Sequence, residues 1–282
     1  MKKHQYFNLN VHTDCEIEQI LSCKIMNREI IHEWPLSTVH KIETDNLTYI
    51  YKSEFGPTVE IDFLENNKSK YLPKIVKTIK NSEHKISIRE FIHGQTLDLY
   101  KYSETELHNI RTILFENTKI FNTHNVYLDF SSFDKLNRKV IETLASLEFL
   151  KNNNVFTKIN NYELIELERL LSLDDFYKAS IDNISLVHGD LYGENIIINN
   201  QNMKIIDWQR PLLTNQLIDK IRFNSSFNIH NDEDINKWCF ILNEFIHITW
   251  AVECKLKWFP ESTDYENWVI ESMKRILTTA ST

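Results

Sequence analysis

Two short apolar stretches in the last third of the chain give the clearest pattern of hydrophobic and polar positions. Residues 196–198 and 203–206 are rich in β-branched side chains and flank a polar tetrapeptide. This pattern predicts a β-hairpin. Pairing Ile198, the last residue of the first stretch, with Met203, the first residue of the second, places Asn195 beside Ile206 and Asp207 at the open end of the hairpin.

The first hundred residues carry mainly strand patterns. Strands are predicted over residues 36–42, 47–52, 72–76 and 86–94. Alternation in the second of these places Tyr51 on one face of a sheet and Lys52 on the other. A short helix is predicted over residues 16–23, within a lead-in segment of residues 1–34.

From about residue 100 the apolar period becomes that of amphipathic helices. Ser103 begins a capping-box sequence, Ser131 or Ser132 begins another helix, and a third is predicted over 162–171. The last 50 residues are also predicted to be helical. Strands followed by helices predict an α+β fold with a small antiparallel-β N-lobe, residues 1–92, and a larger, mostly helical C-lobe, residues 93–282.

Composition excludes some classes of protein. The net charge of −8 argues against a nucleic-acid partner and mildly favours a cationic substrate. No apolar run approaches the roughly 20 residues that span a bilayer, and the first residues lack an apolar signal core. We therefore expect no membrane partner. The four cysteines show no CxxC spacing and no His partner pattern, which favours a reduced, cytoplasmic protein with no structural metal.

Three polar residues around the hairpin suggest phosphate chemistry. Asp190 lies five residues before Asn195, and Asp207 follows the second strand. Asn195 and Asp207 offer the hard oxygen ligands that suit Mg²⁺ with a phosphate. Asp190 is then available to orient and deprotonate a hydroxyl group, so we expect phosphoryl transfer.

These motifs resemble the catalytic and metal loops of the aminoglycoside phosphotransferase and choline kinase family. The resemblance is carried by residues 188–190 (His-Gly-Asp), by Asn195 and by residues 206–208 (Ile-Asp-Trp). It implies a bilobal, protein-kinase-like fold with Asp190 as the catalytic base and Asn195 and Asp207 as Mg²⁺ ligands. His188 is expected to brace the loop.

The resemblance also implies a site for ATP, with GTP possible. Lys52 matches the lysine that contacts the α- and β-phosphates. A helix is then expected over residues 58–64, in which Glu60, or less well Glu65, matches the ion-pair partner of that lysine. The residues expected to contact the adenine edge through their main chains are Phe91 and Ile92, and those expected to contact phosphate are Ser37 and Thr38. Asp219 matches a residue that braces the catalytic loop in the family.

The sequence departs from the family in the turn that covers the phosphates, because residues 34–38 contain no glycine for a close approach. It departs from protein kinases as well. Gly189 replaces the Arg that precedes the catalytic Asp in those enzymes, Tyr192 replaces a phosphate-binding Lys, and Trp208 follows the metal-binding Asp. These replacements are ordinary in the small-molecule group and favour a small-molecule hydroxyl acceptor.

The resulting hypothesis is transfer of a γ-phosphate to an aminoglycoside, choline, ethanolamine, an amino sugar or a similar acceptor. A pseudokinase, a protein-directed kinase and a metal-dependent phosphoesterase using His188 and Asp190 are the alternatives. The acidic residues 232–234 could attract a cationic acceptor or cap a helix. Four aromatic residues could form a cation box or belong to the core: Trp250, Trp258, Tyr265 and Trp268. The oligomeric state is left open.

Overall fold

The computed structural model describes residues 1–4, 9–80, 84–99, 102–118, 125–199, 202–229 and 235–281. Within these ranges the α-helices are α1 (Asp14–Leu21), α2 (Glu60–Asn66), α3 (Glu104–Thr118), α4 (Phe133–Asn152), α5 (Asn161–Leu171), α6 (Asp174–Ile181), α7 (Leu217–Ser226), α8 (Lys237–Glu253) and α9 (Asp264–Ser281). The strands are β1 (Lys2–Lys3), β2 (Asn10–Val11), β3 (Ile25–Trp34), β4 (Ser37–Thr44), β5 (Thr48–Glu54), β6 (Ile75–Lys80), β7 (Lys85–Glu90), β8 (Gln95–Thr96), β9 (Leu128–Asp129), β10 (Ile184–Val187), β11 (Ile196–Asn199), β12 (Asn202–Ile205) and β13 (Leu212–Asn215).

The chain forms two compact units. The first consists of Met1–Thr105, Ile120–Tyr127 and Tyr192–Pro211, and the second consists of Glu106–Lys119, Leu128–Leu191 and Leu212–Thr282. The units are interleaved along the chain, whereas the sequence prediction divides it once, between residues 92 and 93. That boundary stays a prediction.

A five-stranded antiparallel sheet dominates the first unit, in the order β3-β4-β5-β7-β6. Its apolar face, called the outer face below, carries Ile42, Tyr51 and Ile88, which pack with Ile17 of α1. The Thr13 side chain caps α1 with a reciprocal capping box, which fixes where this helix begins. The lead-in segment therefore covers the outer face, and the opposite, inner face is left to polar side chains.

The predicted hairpin is formed by β11 and β12. Ile198 lies opposite Met203, as predicted from the sequence, and the Ile206 N–H donates to the Asn195 carbonyl over 2.9 Å. The two central residues of the turn lie outside the described residues. Strand β8, which the sequence pattern did not predict, pairs with the other edge of β11.

Several predicted boundaries in the first unit were wrong. The lead-in contains β3, a ten-residue edge strand whose mostly exposed side chains show no clear alternation. The strand predicted over 72–76 begins at Ile75 instead, because Pro73 cannot donate to a ladder and Leu72 N–H closes a turn onto Ser69. The strand predicted over 86–94 ends at Glu90.

The second unit is mainly helical, and α8 packs against α4, α6, α7 and α9. Phe245 of α8 contacts the rings of Phe130 and Phe176, with ring centroids 6.3 and 6.0 Å away. Ser132 caps α4, as the sequence predicted. A small sheet in the order β10-β13-β9 completes this unit, and β10 leads directly into the segment that carries Asp190.

Two substrate-side interpretations meet different outcomes. The acidic residues 232–234 lie outside the described residues. Tyr265 is buried, stacks on Phe259 with centroids 5.5 Å apart and meets Trp268 edge-on at 5.0 Å. Tyr265 therefore serves in packing.

Among the residues that the structure describes, no helix combines the length and apolar character needed to cross a membrane.

We predict that Gly94→Ala destabilises the first unit by about 1–3 kcal/mol, the usual cost of overpacking a close contact. A Cβ atom on Gly94 would lie 2.5 Å from the Ile198 carbonyl oxygen of β11. Relief of this contact requires a shift of the β11 main chain, which is paired in a sheet. Urea unfolding of the variant measures the loss. Gln95→Ala, at an exposed neighbouring position, is the control, and equal stability of the two variants would contradict the prediction.

Candidate nucleotide and catalytic sites

Lys52 lies on the inner face of the sheet, where β5 pairs with β4 and β7. Its Nζ is 2.6 Å from Asp207 Oδ1, 2.7 Å from Glu60 Oε2 and 3.3 Å from Glu54 Oε1. Burial alone favours the neutral amine, but the three carboxylates raise the pKa of Lys52 above its usual value. Lys52 is therefore a buried, permanently charged ammonium group.

Glu60, in the first turn of α2, is fully buried. Its Oε2 accepts from Lys52, while its Oε1 accepts from Arg89 Nη1 over 2.7 Å and from the Trp208 N–H over 3.0 Å. Burial opposes ionisation, but Arg89 and Lys52 outweigh it and lower the pKa of Glu60. One carboxylate thus joins α2, two strands and the segment that follows β12.

The segment around Asp207 is held against α2. Asp207 adopts a positive φ of 65°, so the chain turns sharply after β12. Trp208 is fully buried and stacks on Phe63 of α2 with ring centroids 4.4 Å apart, and the Val59 N–H donates to the Gln209 carbonyl over 3.0 Å. Trp208, the residue that follows the candidate metal ligand Asp207, therefore anchors this segment.

Asn195 closes a 3₁₀ turn, Gly193–Asn195, just before β11, and is buried. Its carbonyl accepts from Ile206, the residue directly before Asp207, so the two candidate Mg²⁺ ligands lie at neighbouring positions of the hairpin's open end. No group of three or more His, Cys, Asp or Glu suited to a metal occurs among the described residues. An amide and a carboxylate fit Mg²⁺, which keeps several of its waters.

The other residues predicted to contact nucleotide are placed as follows. Thr38 is fully buried, and its hydroxyl is 2.9 Å from His40 Nε2; Ser37, at the start of β4, is also buried. The Phe91 N–H donates to the Thr48 carbonyl over 3.3 Å, and Phe91 and Ile92 are half-buried after β7. Their nucleotide contacts stay predictions.

Asp190 belongs to the second unit, where Asp219 of α7 holds its loop. The two oxygens of Asp219 accept the N–H groups of His188 and Gly189 over 2.7 and 2.9 Å, and His188 Nδ1 accepts the Asp190 N–H over 3.2 Å. Gly189 has φ 78°, a conformation that favours glycine. Burial raises the pKa of Asp219, although the His188 and Gly189 contacts oppose that shift.

Arg222 is a functional candidate that the sequence reasoning missed. It lies one turn after Asp219 on α7, is 4% exposed, and donates from Nη1 to Asp190 Oδ1 over 3.2 Å. Asn243 of α8 accepts from its Nε over 3.0 Å. The sequence signal that indicates Arg222 is its position three residues after Asp219, on the helix that follows the segment carrying Asp207.

Glu54 and Arg89 were missed as well. Glu54 shares the inner face with Lys52, two positions earlier on β5, and Arg89 shares it with Ser87 on β7. Polar residues at alternate positions of two otherwise apolar strands are the signal that indicates a charged face. The structure thus joins Lys52, Glu54, Glu60, Arg89 and Asp207 in one group, called the charge cluster below.

Comparisons with known proteins identify the fold. No protein-family model matches the chain, and no curated protein matches it by sequence. Among solved structures, it is similar to aminoglycoside phosphotransferase APH(4)-Ia in a ternary complex with ADP and hygromycin B, with 12% identity and a TM-score of 0.67 over 96% of this chain and 100% of that one.

Two further solved structures are similar. Spectinomycin phosphotransferase APH(9)-Ia, in complex with ADP and spectinomycin, has 12% identity and a TM-score of 0.58 over 97% of this chain and 100% of the other. Choline kinase from Cryptosporidium parvum Iowa II has 11% identity and a TM-score of 0.59 over 90% and 89%. The prediction of an α+β, bilobal, protein-kinase-like fold is confirmed.

The charge cluster predicts a pH dependence of stability. Burial raises the pKa of Glu54 to about 7 against 4.5 for an ordinary glutamate, with Glu60 and Asp207 acting in the same direction and Lys52 and Arg89 opposing it. The stability that this raised pKa contributes is present below about pH 4.5 and is lost as the pH rises to about 7. Glu54→Gln stays neutral throughout and escapes that loss.

Thermal unfolding of wild type and Glu54→Gln at a series of pH values measures this effect. We expect the midpoint of the wild type to fall relative to that of the variant between about pH 5 and pH 8. Glu43→Gln, at a half-buried position of β4, is the control and should follow the wild type over this range, because the Lys41 ion pair lowers the pKa of Glu43. Parallel curves for wild type and Glu54→Gln would show that Glu54 does not titrate there.

Proposed function

We propose that this protein is a small-molecule kinase that transfers the γ-phosphate of ATP, or of GTP, to a hydroxyl group of its acceptor. The observation that carries the proposal is the buried charge cluster, in which Lys52 is within hydrogen-bonding distance of both Glu60 and Asp207. The similar solved structures support it, because two of them are phosphotransferases described with ADP.

The first unit supplies the nucleotide and metal groups in this proposal. Lys52 neutralises the α- and β-phosphates, Glu60 orients Lys52, and Asn195 and Asp207 hold Mg²⁺, which supplies charge neutralisation at the phosphates. Asp207 is suited to this role because its side chain is 37% exposed, whereas Lys52 and Glu60 are 6% exposed or less. Ser37, Thr38, Phe91 and Ile92 stay proposed nucleotide contacts.

The second unit supplies the base. The Asp190 carboxylate accepts the proton of the acceptor hydroxyl while the hydroxyl oxygen bonds to the γ-phosphorus. The bond between the γ-phosphorus and the β–γ bridging oxygen breaks, which releases the nucleoside diphosphate. His188 and Asp219 hold the loop main chain, and Arg222 orients the carboxylate. Because the loop main chain and the Asp190 carboxylate are held in place before the reaction, catalysis relies on positioning and charge stabilisation.

The acceptor is proposed to be a small molecule with a hydroxyl group. The net charge of −8 favours a cationic acceptor such as an aminoglycoside, choline or an amino sugar. However, a cationic group of the protein, Arg222, contacts Asp190. Neutral sugars and homoserine therefore belong in the same screen.

We predict that Asp190→Ala lowers phosphoryl transfer by about 10²–10⁴-fold, the usual contribution of a general base. The assay follows Mg²⁺-dependent transfer from γ-labelled ATP and GTP to aminoglycosides, choline, ethanolamine, sugars and homoserine. Asp175→Ala, which removes an exposed carboxylate of α6, is the control and should retain full activity.

The outcomes distinguish the alternatives. A labelled small molecule that is lost with Asp190→Ala supports the proposal. Label on protein, and not on a small molecule, would favour a protein-directed kinase. Nucleotide binding without transfer to any acceptor would favour a pseudokinase, an alternative motivated by the glycine-free turn over residues 34–38. Turnover by Asp190→Ala at the wild-type rate would overturn the assignment of the base.

A further inference from the structure

The charges of the cluster are unequally distributed between its interior and its surface. Lys52, Arg89, Glu54 and Glu60 have side chains that are 6% exposed or less, and the two cations balance the two carboxylates once Glu54 is ionised, above about pH 7. Asp207 adds one further negative charge and is 37% exposed. The cluster therefore places its excess negative charge on the residue proposed to hold the metal.

Arg89 is held independently of Lys52. Its Nη1 donates to Glu60 Oε1 over 2.7 Å, and its Nε donates to the Ser87 hydroxyl over 2.8 Å on the same strand. Lys52 binds the other oxygen of Glu60. Because the two cations use different oxygens, Glu60 remains paired if the ammonium group of Lys52 turns toward another anion.

Glu60 in turn fixes the main chain beside Asp207. The oxygen that Arg89 holds is also the acceptor for the Trp208 N–H, over 3.0 Å. A buried carboxylate that lost its cation would be strongly destabilised and would not keep this position. A cation on Oε1 therefore matters to the placement of Asp207, although Arg89 does not contact Asp207 in any hydrogen bond of the described residues.

We propose that Arg89 is a positioning residue of the metal and nucleotide site: it keeps Glu60 neutralised and the Trp208 main chain in place, so that Lys52 is free to bind phosphate while Asp207 binds the metal. This inference rests on the proposed function, because it assigns Lys52 to phosphate and Asp207 to Mg²⁺. The sequence resemblance assigns no role to this position, so the role follows from the hydrogen bonds described above.

Binding of ADP to the full-length chain tests the proposal without any acceptor. Calorimetry gives the Kd for ADP in the presence of Mg²⁺ and in the presence of EDTA, and the ratio of the two is the Mg²⁺ gain. Arg89→Met should lower this gain about tenfold, a typical effect of losing a residue that orients a metal ligand. Its Kd in EDTA should change much less.

Arg28→Met is the matched control. Arg28 also belongs to the five-stranded sheet, but it contacts His40 and Asp14 and lies over the Tyr51 ring, on the outer face. This variant should lose thermal stability and keep the Mg²⁺ gain. Arg89→Lys should recover part of the gain, because an ammonium group can reach Glu60 but cannot also hold Ser87.

The outcomes separate this inference from the proposed function. A folded Arg89→Met with the wild-type Mg²⁺ gain would overturn the role of Arg89, as would equal losses of the gain in Arg89→Met and Arg28→Met. If Arg89→Met does not fold, an unchanged gain in Arg89→Lys and in Arg89→Gln would overturn it. A wild type that binds no ADP, with or without Mg²⁺, would refute the proposed nucleotide site and this inference together.

Discussion

The buried carboxylate of Glu60 is the group on which the arrangement of the first unit depends. It accepts three hydrogen bonds, from Lys52, Arg89 and the Trp208 main chain, and it is fully buried. Such a charge is tolerable only because two cations surround it at 2.7 Å. Helix α2, strands β5 and β7 and the segment after β12 therefore share one electrostatic requirement, which sequence-distant residues satisfy together.

The polar inner face of the sheet is possible because the outer face carries the apolar packing. The Thr13-capped helix α1 covers that face with Ile17, which packs against Tyr51 and Ile88. An antiparallel sheet needs only one packed face, so Lys52 and its partners can occupy the other. The lead-in segment, which had no assigned role at the level of sequence, contributes in this way to the candidate site on the opposite face.

Sequence reasoning succeeded where a local rule decides the structure. The register of β11 and β12 followed from apolar stretches around a short polar turn, and the Ser132 cap of α4 followed from capping preference. It failed where tertiary context decides. Strand β3 is an exposed edge strand without alternation, and its pairing with β4 defines it. The late start of β6 is a different kind of error, because Pro73 is a local signal that was not applied.

The candidate site shows the same division. Asp190, Asn195 and Asp207 could be proposed from sequence because all three lie within one stretch of 18 residues, 190–207, at a recognisable spacing. Arg89 and Arg222 contact their partners across 29 and 32 residues of chain. Spacing along the chain can indicate that each arginine lies at a polar position, but not which carboxylate it contacts, because that contact arises only when separate elements pack.

The two segments that carry the candidate site residues Asp190 and Asp207 are fixed in the same way, by a buried carboxylate that accepts main-chain N–H groups. Glu60 accepts from Trp208 beside Asp207, and Asp219 accepts from His188 and Gly189 beside Asp190. A nearby arginine accompanies each: Arg89 binds Glu60 itself, whereas Arg222, one turn from Asp219, binds the functional residue Asp190. A carboxylate can serve two donors in different directions, one from each oxygen, and a neutral amide offers only one acceptor oxygen. The acid at each position therefore follows from the geometry of the loop it holds, because its hydrogen bonds to main-chain N–H groups place the segment that carries Asp190 or Asp207.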